Sequence, residues 1–230
     1  MLKKIAIFFL CILVSEKLSA ESLYVFVPTE VRTNKLQQKI SAYCSGVDVT
    51  VFGRAKDFHK KVKAVPPTAI LSLLPVVEHT LVFSPAIVGL RDGLSSESYV
   101  LVSVEKPIEL ERLNNKKIGV VDLLGRKPMR TFIEELLQTQ VKLKRVTKTE
   151  DLLPLITFSS VDALFVSQST YSQLKSKSNL NLVATPLNIK IGLASAALSD
   201  AVIKDRLKAC LFAFDKQLNS TLGVDQWRTL

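Results

Sequence analysis

Apolar and polar positions along the chain change period several times, and each change marks an element. Leu23 to Val27 is a short apolar run closed by Pro28 and Thr29, the pattern of a buried strand and its turn. Leu36, Ile40 and Tyr43 then recur at helical spacing among Arg32, Lys35, Gln38 and Lys39, and Gly46 ends that pattern. Val47 to Phe52 alternates as a strand does. Lys56 to Lys63 reads as a short basic helix, broken by Pro66 and Pro67. Ala69 to Leu90 is the most apolar stretch after the first twenty residues. Pro75, Glu78, His79 and Pro85 within it argue against a membrane span, and two buried strands with a turn between them fit better, the first over Ala69 to Val77. The opening ninety residues therefore predict the order β-α-β-α-β.

A second unit begins at Lys117. Lys117 to Asp122 reads as a strand that runs into the loop Leu123 to Lys127, and Pro128 suits a first helical position. Met129, Phe132, Ile133, Leu136 and Leu137 fall at i, i+3, i+4, i+7 and i+8, one apolar helix face. Val141 to Thr147 alternates with lysines, which suits an edge strand. Thr149 can cap a helix with Glu150 and Asp151 in its first turn. Val161 to Val166 is almost continuously apolar, as a central strand covered on both faces would be. Ser167 caps the helix that follows, and Leu180 to Leu187 is one more strand. Strand-like segments at Ser98 to Val104 and Lys190 to Ala197 flank this unit. A long helix from about Ser199 closes the chain, with Ile203, Leu207, Leu211, Phe214 and Leu218 on its buried face. The expected class is α/β with two lobes. Residues 21–103 and 188–230 make the first, and residues 104–187 make a second inserted in it, with two crossing strands as a hinge.

The N-terminus changes the compartment. Lys3 and Lys4 precede the apolar run Ile5 to Val14, and Leu18-Ser19-Ala20 follows, the order of a secretion signal. The apolar run would make a helix about 15 Å long, half of a hydrocarbon core. Residues 1–20 are therefore expected to be cleaved near Ala20 on export, the alternative being an uncleaved anchor. Cys44 and Cys210 then remain. In an oxidising compartment they can pair, and otherwise they are two buried thiols that pack as small hydrophobes.

Apolar residues make up 47% and charged residues 23% of the chain, a composition that excludes a disordered protein. The formal charge is +10, and +8 without the first twenty residues, which hold three lysines and one glutamate. That charge is spread over helices and an edge strand, and only 7% of residues are aromatic, so a nucleic-acid stripe is not expected. No Gly-x-Ser-x-Gly, His-Glu-x-x-His, Gly-x-Gly-x-x-Gly or phosphate-loop pattern is present, and no enzyme is expected. His59 reads as a solvated residue of the basic helix and His79 as a turn residue. No metal-ligand spacing occurs, and neither metal nor cofactor is expected.

In open α/β sheets, solutes sit beyond the carboxyl ends of parallel strands, where helix N-termini offer free N–H groups. Four places qualify. Thr29 follows the first strand, and the turn near Ser84 is positioned to reach the same cleft. Asp122, Gly125, Arg126 and Lys127 follow the first strand of the second unit. Ser167, Gln168 and Thr170 open the helix after its central strand, where plain N-capping by Ser167 is the simpler account. Arg126 and Lys127 oppose the dipole of the helix they open by about 0.3–1 kcal/mol each. A bound anion would reverse that penalty; alternatively Asp122 or solvent neutralises them.

The order of elements resembles the type 2 periplasmic solute-binding proteins, the receptors of ABC importers. Leu113-Asn-Asn-Lys-Lys-Ile-Gly-Val-Val-Asp122 is similar to the family's opening of the second lobe, and Ser160-Val-Asp-Ala163 to its Gly-x-Val-Asp-Ala turn into a strand. Within the family the chain looks closest to the phosphate/phosphonate-binding branch. It departs at Leu123 to Pro128, where that branch carries a Ser/Thr-rich, Gly-containing turn. The resemblance implies a monomeric periplasmic protein, not embedded in the membrane. It would hold a small, anionic solute (phosphate- or phosphonate-like, or a carboxylate) between its lobes and present it to a membrane transporter or sensor. The alternatives are a sensor or accessory subunit of the same fold, an interaction module, or an enzyme built on this scaffold.

Overall fold

The structure, a computed structural model, describes residues 21–230; the expected signal peptide and Cys11 lie outside the described residues. The chain begins with β1 (Ser22–Phe26), α1 (Thr33–Tyr43), β2 (Asp48–Val51), α2 (Ala55–Ala64) and β3 (Ala69–Leu73). Next come α3 (Leu74–His79), β4 (Ser84–Leu90) and β5 (Ser96–Val104). The second unit holds β6 (Lys117–Val121), α4 (Arg126–Leu137), β7 (Lys142–Val146), α5 (Leu152–Thr157), β8 (Ala163–Ser167) and α6 (Gln168–Lys177). The return comprises β9 (Leu182–Gly192), β10 (Ala194–Leu198), α7 (Lys204–Phe212), α8 (Lys216–Thr221) and β11 (Gln226–Thr229).

Two sheets result. The first has the order β11-β4-β10-β3-β1-β2 and the second β7-β6-β8-β5-β9. In the first sheet β1 runs parallel to β2 and β3, while β10 is antiparallel to both β3 and β4. The carboxyl ends of β1, β3 and β4 therefore share one edge. In the second sheet β6 is parallel to β7 and β8, and β5 is antiparallel to β8 and β9. The lysine-rich β7 is at the edge and β8 is wholly buried, as their patterns dictate.

The chain crosses between the sheets twice. The first crossing is a tight turn in which Arg91 and Leu94 exchange backbone hydrogen bonds of 2.9 Å around Asp92 and Gly93, both with positive φ. The second passes through Gly192 and Leu193. A Cβ at Gly192 would lie 2.5 Å from Leu74, so only glycine lets β9 press this closely onto α3. The sequence pattern suggested Ser98 to Val104 and Lys190 to Ala197 as the crossing strands, with the second lobe between residues 104 and 187. Pairing moves them, because β5 and β9 run side by side in the second sheet almost to its edge. Segments 96–103 and 188–192 thus belong with the second sheet rather than the first.

Three further local patterns resolve differently. Ala69 to Val77 is not one strand: Pro75 stands at the start of α3, where a missing N–H does no harm. The expected terminal helix is three pieces, a 3-10 turn at Ala201–Ile203, then α7 and α8. All five of its expected apolar residues are nevertheless buried. Residues 226–229, for which the pattern suggested helix, form β11 against β4, and Trp227 donates to the Asn219 side chain at 2.8 Å. Among the described residues no helix is long and apolar enough to cross a membrane.

One buried cluster fills the first sheet's α1 and α7 side, with Leu36, Ile40, Leu207 and Leu211. Another spans both sheets, uniting Phe58 and Val76 with Ile118, Leu123, Met129 and Ile133. Within the first cluster Cys44, which caps α1, and Cys210 of α7 are joined, with Cα atoms 4.7 Å apart.

Candidate functional site

A cleft of about 720 Å³ lies between the two sheets. Its walls come from the carboxyl ends of first-sheet strands (Val27 to Val31, Leu73, Arg91) and from β5, β8 and α6 of the second sheet. The turn of α8, Lys216 to Gly223, closes one side. The floor is apolar, with Val120, Leu123, Met129, Phe132, Phe165 and Ile191. Polar groups converge over it from both sides. Such a volume, with an apolar bed and a few placed polar groups, is typical of small-molecule sites.

Strand register places the polar cluster. Tyr99 of β5 sits opposite Ser167 of β8, so Glu97, two residues earlier on the same face, reaches the first turn of α6. The Glu97 carboxylate accepts the Ser169 backbone N–H at 2.7 Å through Oε1 and pairs with the Arg91 guanidinium at 3.1 Å through Oε2. Ser167 Oγ accepts the Thr170 N–H at 3.2 Å, the cap expected from sequence, while also lining the cleft. Burial pushes the Tyr99 hydroxyl well above the usual phenol range, and the neighbouring Glu97 charge adds to the shift. That hydroxyl has no hydrogen-bond partner among the described residues and lies on a residue lining the cleft. At the rim, Lys177 of α6 pairs with Glu30 at 2.6 Å, joining the two sides across the opening.

Of the residues singled out in the sequence, Thr29, Ser167 and Thr170 line the cleft. Gln168 is exposed on the outer side of the α6 N-terminus. Asp122 binds the Gly125 N–H at 2.8 Å and pairs with Arg145 at 2.5 Å, not with Arg126 or Lys127. Gly125 takes a positive φ of 87° and redirects the chain. Leu123 and Leu124 before it turn inward, and Arg126 and Lys127 after it emerge into solvent, away from the cleft. Ser84 has to be corrected. It is the exposed first residue of β4, paired with Leu198, and β4 runs parallel to β3. Ser84 thus lies at the sheet edge opposite the cleft, which the other end of the strand, Arg91, reaches. His59 is half-buried rather than solvated, and its Nε2 lies 3.3 Å from the Leu123 carbonyl.

Sequence reading missed Arg91, Glu97 and Tyr99. A signal for Arg91 existed, since it directly follows an apolar strand and so stands at a carboxyl end. For Glu97 there was none, because its significance depends on the antiparallel pairing of β5 with β8.

No family model and no curated protein matches the chain. Solved structures do match. A binding protein component of an ABC phosphonate transporter from Pseudomonas aeruginosa aligns at TM-score 0.65 and 9% identity, covering 92% of this chain and 82% of the other. A Xanthomonas citri protein bound to ATP aligns at TM-score 0.64 and 12% identity, over 91% of each chain. An amino acid ABC transporter substrate-binding protein from Streptococcus pneumoniae, bound to L-arginine, aligns at 0.54 and 14%, over 86% of this chain and 88% of the other. The fold is that of the type 2 periplasmic binding proteins. In this fold the two sheets are two lobes and the cleft is the space between them. Among the described residues no group of three or more His, Cys, Asp and Glu could hold a metal ion.

Proposed function

We propose that the protein is an exported solute-binding protein that captures a small solute between its lobes and presents the closed form to a membrane partner, an ABC importer. The observation that carries this reading is the cleft itself: about 720 Å³, at the carboxyl ends of β1, β3 and β4, with polar groups from both lobes over an apolar floor. Structures of the same fold that hold small molecules support it. Closure is a hinge motion at the two crossings, 91–95 and 192–193.

The solute this cleft fits has an apolar body and one polar end. The residue argument for an anion rested on Arg126 and Lys127, and neither lines the cleft. Native mass spectrometry of protein purified from its own host tests the reading. The expected result is a bound mass that leaves on denaturation. A bare chain, together with no thermal stabilisation across a library of small metabolites, overturns it.

A further inference from the structure

We propose that Glu97 sets the charge of the solute: its carboxylate occupies, from within the chain, the place where an anionic group would dock. The cleft therefore takes a solute whose polar end is uncharged or cationic. The proposal rests on the solute-binding reading and names the class of solute for that same cleft.

Glu97 behaves as a tethered solute. One carboxylate oxygen meets Arg91, at the first crossing between the lobes, and the other meets the Ser169 N–H in the second lobe. The pair is sheltered, with the side chains 30% and 17% exposed, so it is screened far less than a surface ion pair. The neighbouring first-turn donor, the Thr170 N–H, is already taken by Ser167. Both groups that could receive an anion here, a guanidinium and a helix-start amide, are thus engaged by the chain's own carboxylate.

An anionic solute would have to displace Glu97. The displaced carboxylate would then remain in the cleft beside a second negative charge, without its partners. A donor group faces no such cost. A carboxylate offers about four lone-pair positions, of which Arg91 and Ser169 use two. The free Tyr99 hydroxyl stands two residues further along the same strand face.

Charge around the cleft agrees. Residues 21–230 carry +8, yet the ionisable Asp, Glu, Lys and Arg lining the cleft are Glu30, Arg91, Glu97 and Lys216, which sum to zero. Glu30 is paired with Lys177 at the rim, and Lys216 is exposed on α8. Among the described residues the excess positive charge therefore lies outside the cleft.

The test is calorimetric titration of acetate and inorganic phosphate into the wild type, Glu97→Ala and the double variant Arg91→Ala/Glu97→Ala. Acetate replaces the atoms that Glu97→Ala removes. The expected result is weak anion binding by the wild type and a gain of about ten- to a hundredfold in Glu97→Ala, the effect of freeing charge-assisted hydrogen bonds. The double variant should lose that gain. Equal affinity in the wild type and Glu97→Ala overturns the proposal, and so does a folded Glu97→Ala that gains nothing. If Glu97→Ala lacks a cooperative unfolding transition, Glu97→Gln replaces it. It is neutral and of equal size, and absence of a gain for phosphate there overturns the proposal equally. These titrations use probe anions alone, so they report on Glu97 whether or not mass spectrometry finds a retained solute.

Discussion

Single residues in this protein often serve a local purpose different from the one their sequence context suggests. Gly125 was singled out in the sequence as a candidate for the cleft. Its surroundings are open, with no atom within 4 Å of where a Cβ would stand, but its φ of 87° and ψ of 174° lie where only glycine is at ease. Gly125→Ala should therefore cost about 1–3 kcal/mol through backbone strain alone. Urea denaturation should show a lower midpoint with an unchanged slope. An unchanged midpoint would mean that the chain reaches the same turn by another route. Asp122 and Asp162 are similar cases. Both belong to the segments that resemble the binding-protein family, and both bind backbone amides at the ends of β6, of Gly125 and Lys117 respectively. These two aspartates of the resemblance thus shape turns rather than line the cleft.

At the scale of elements, periodicity located most helices and strands, and its failures have identifiable causes. Pro75 was read within an apolar run, although proline at a helix start is a positive signal. The terminal helix breaks because the Asp215 side chain accepts the Leu218 N–H at 2.6 Å and starts α8 anew, with Tyr43 donating to the same carboxylate at 2.9 Å. The shared buried face continues through the break, which is why the pattern looked unbroken. The link from α1 to α7 through Cys44 and Cys210 spans 166 residues. In the chain-entropy model a loop of that length is worth on the order of 5 kcal/mol. Thiol titration of the protein under denaturing, non-reducing conditions should find no free thiol, and prior reduction should lower the urea midpoint markedly. Two reactive thiols would show that the residues pack unbridged.

Across the whole molecule the lobes meet on two sides of the cleft. The Lys177–Glu30 pair is about half exposed at both partners, and contacts of that kind contribute little. On the other side α2 packs against the Leu123 loop, where the His59 ring faces the Leu123 carbonyl, with His79 and Asp122 nearby. Burial holds the His59 pKa below its usual value; the carbonyl and Asp122 oppose the shift, and His79 adds to it. The unfolded chain then binds more protons than the folded one between the two pKa values. Stability from this site is full above about pH 6.5 and is lost as pH falls below it. Denaturation at about pH 7.5 and pH 5.5 should show a larger loss for the wild type than for His59→Gln. Identical losses would remove His59 as the source.

The chain's own pattern determined the α/β class, the two-unit organisation, the edge and central strands of the second sheet and the helix cap at Ser167. Each is local, governed by the spacing of apolar residues or by a side chain acting within a few positions. Tertiary structure alone decided where the cleft lies and which polar groups line it. Glu97 and Ser169 meet because β5 runs antiparallel to β8, which brings residues 72 positions apart to one carboxylate that Arg91 also binds. Ser84 and Arg126 fall outside because strand direction and one positive φ turn them away. Periodicity shows which face of an element is buried; only the pairing of strands shows which ends come together.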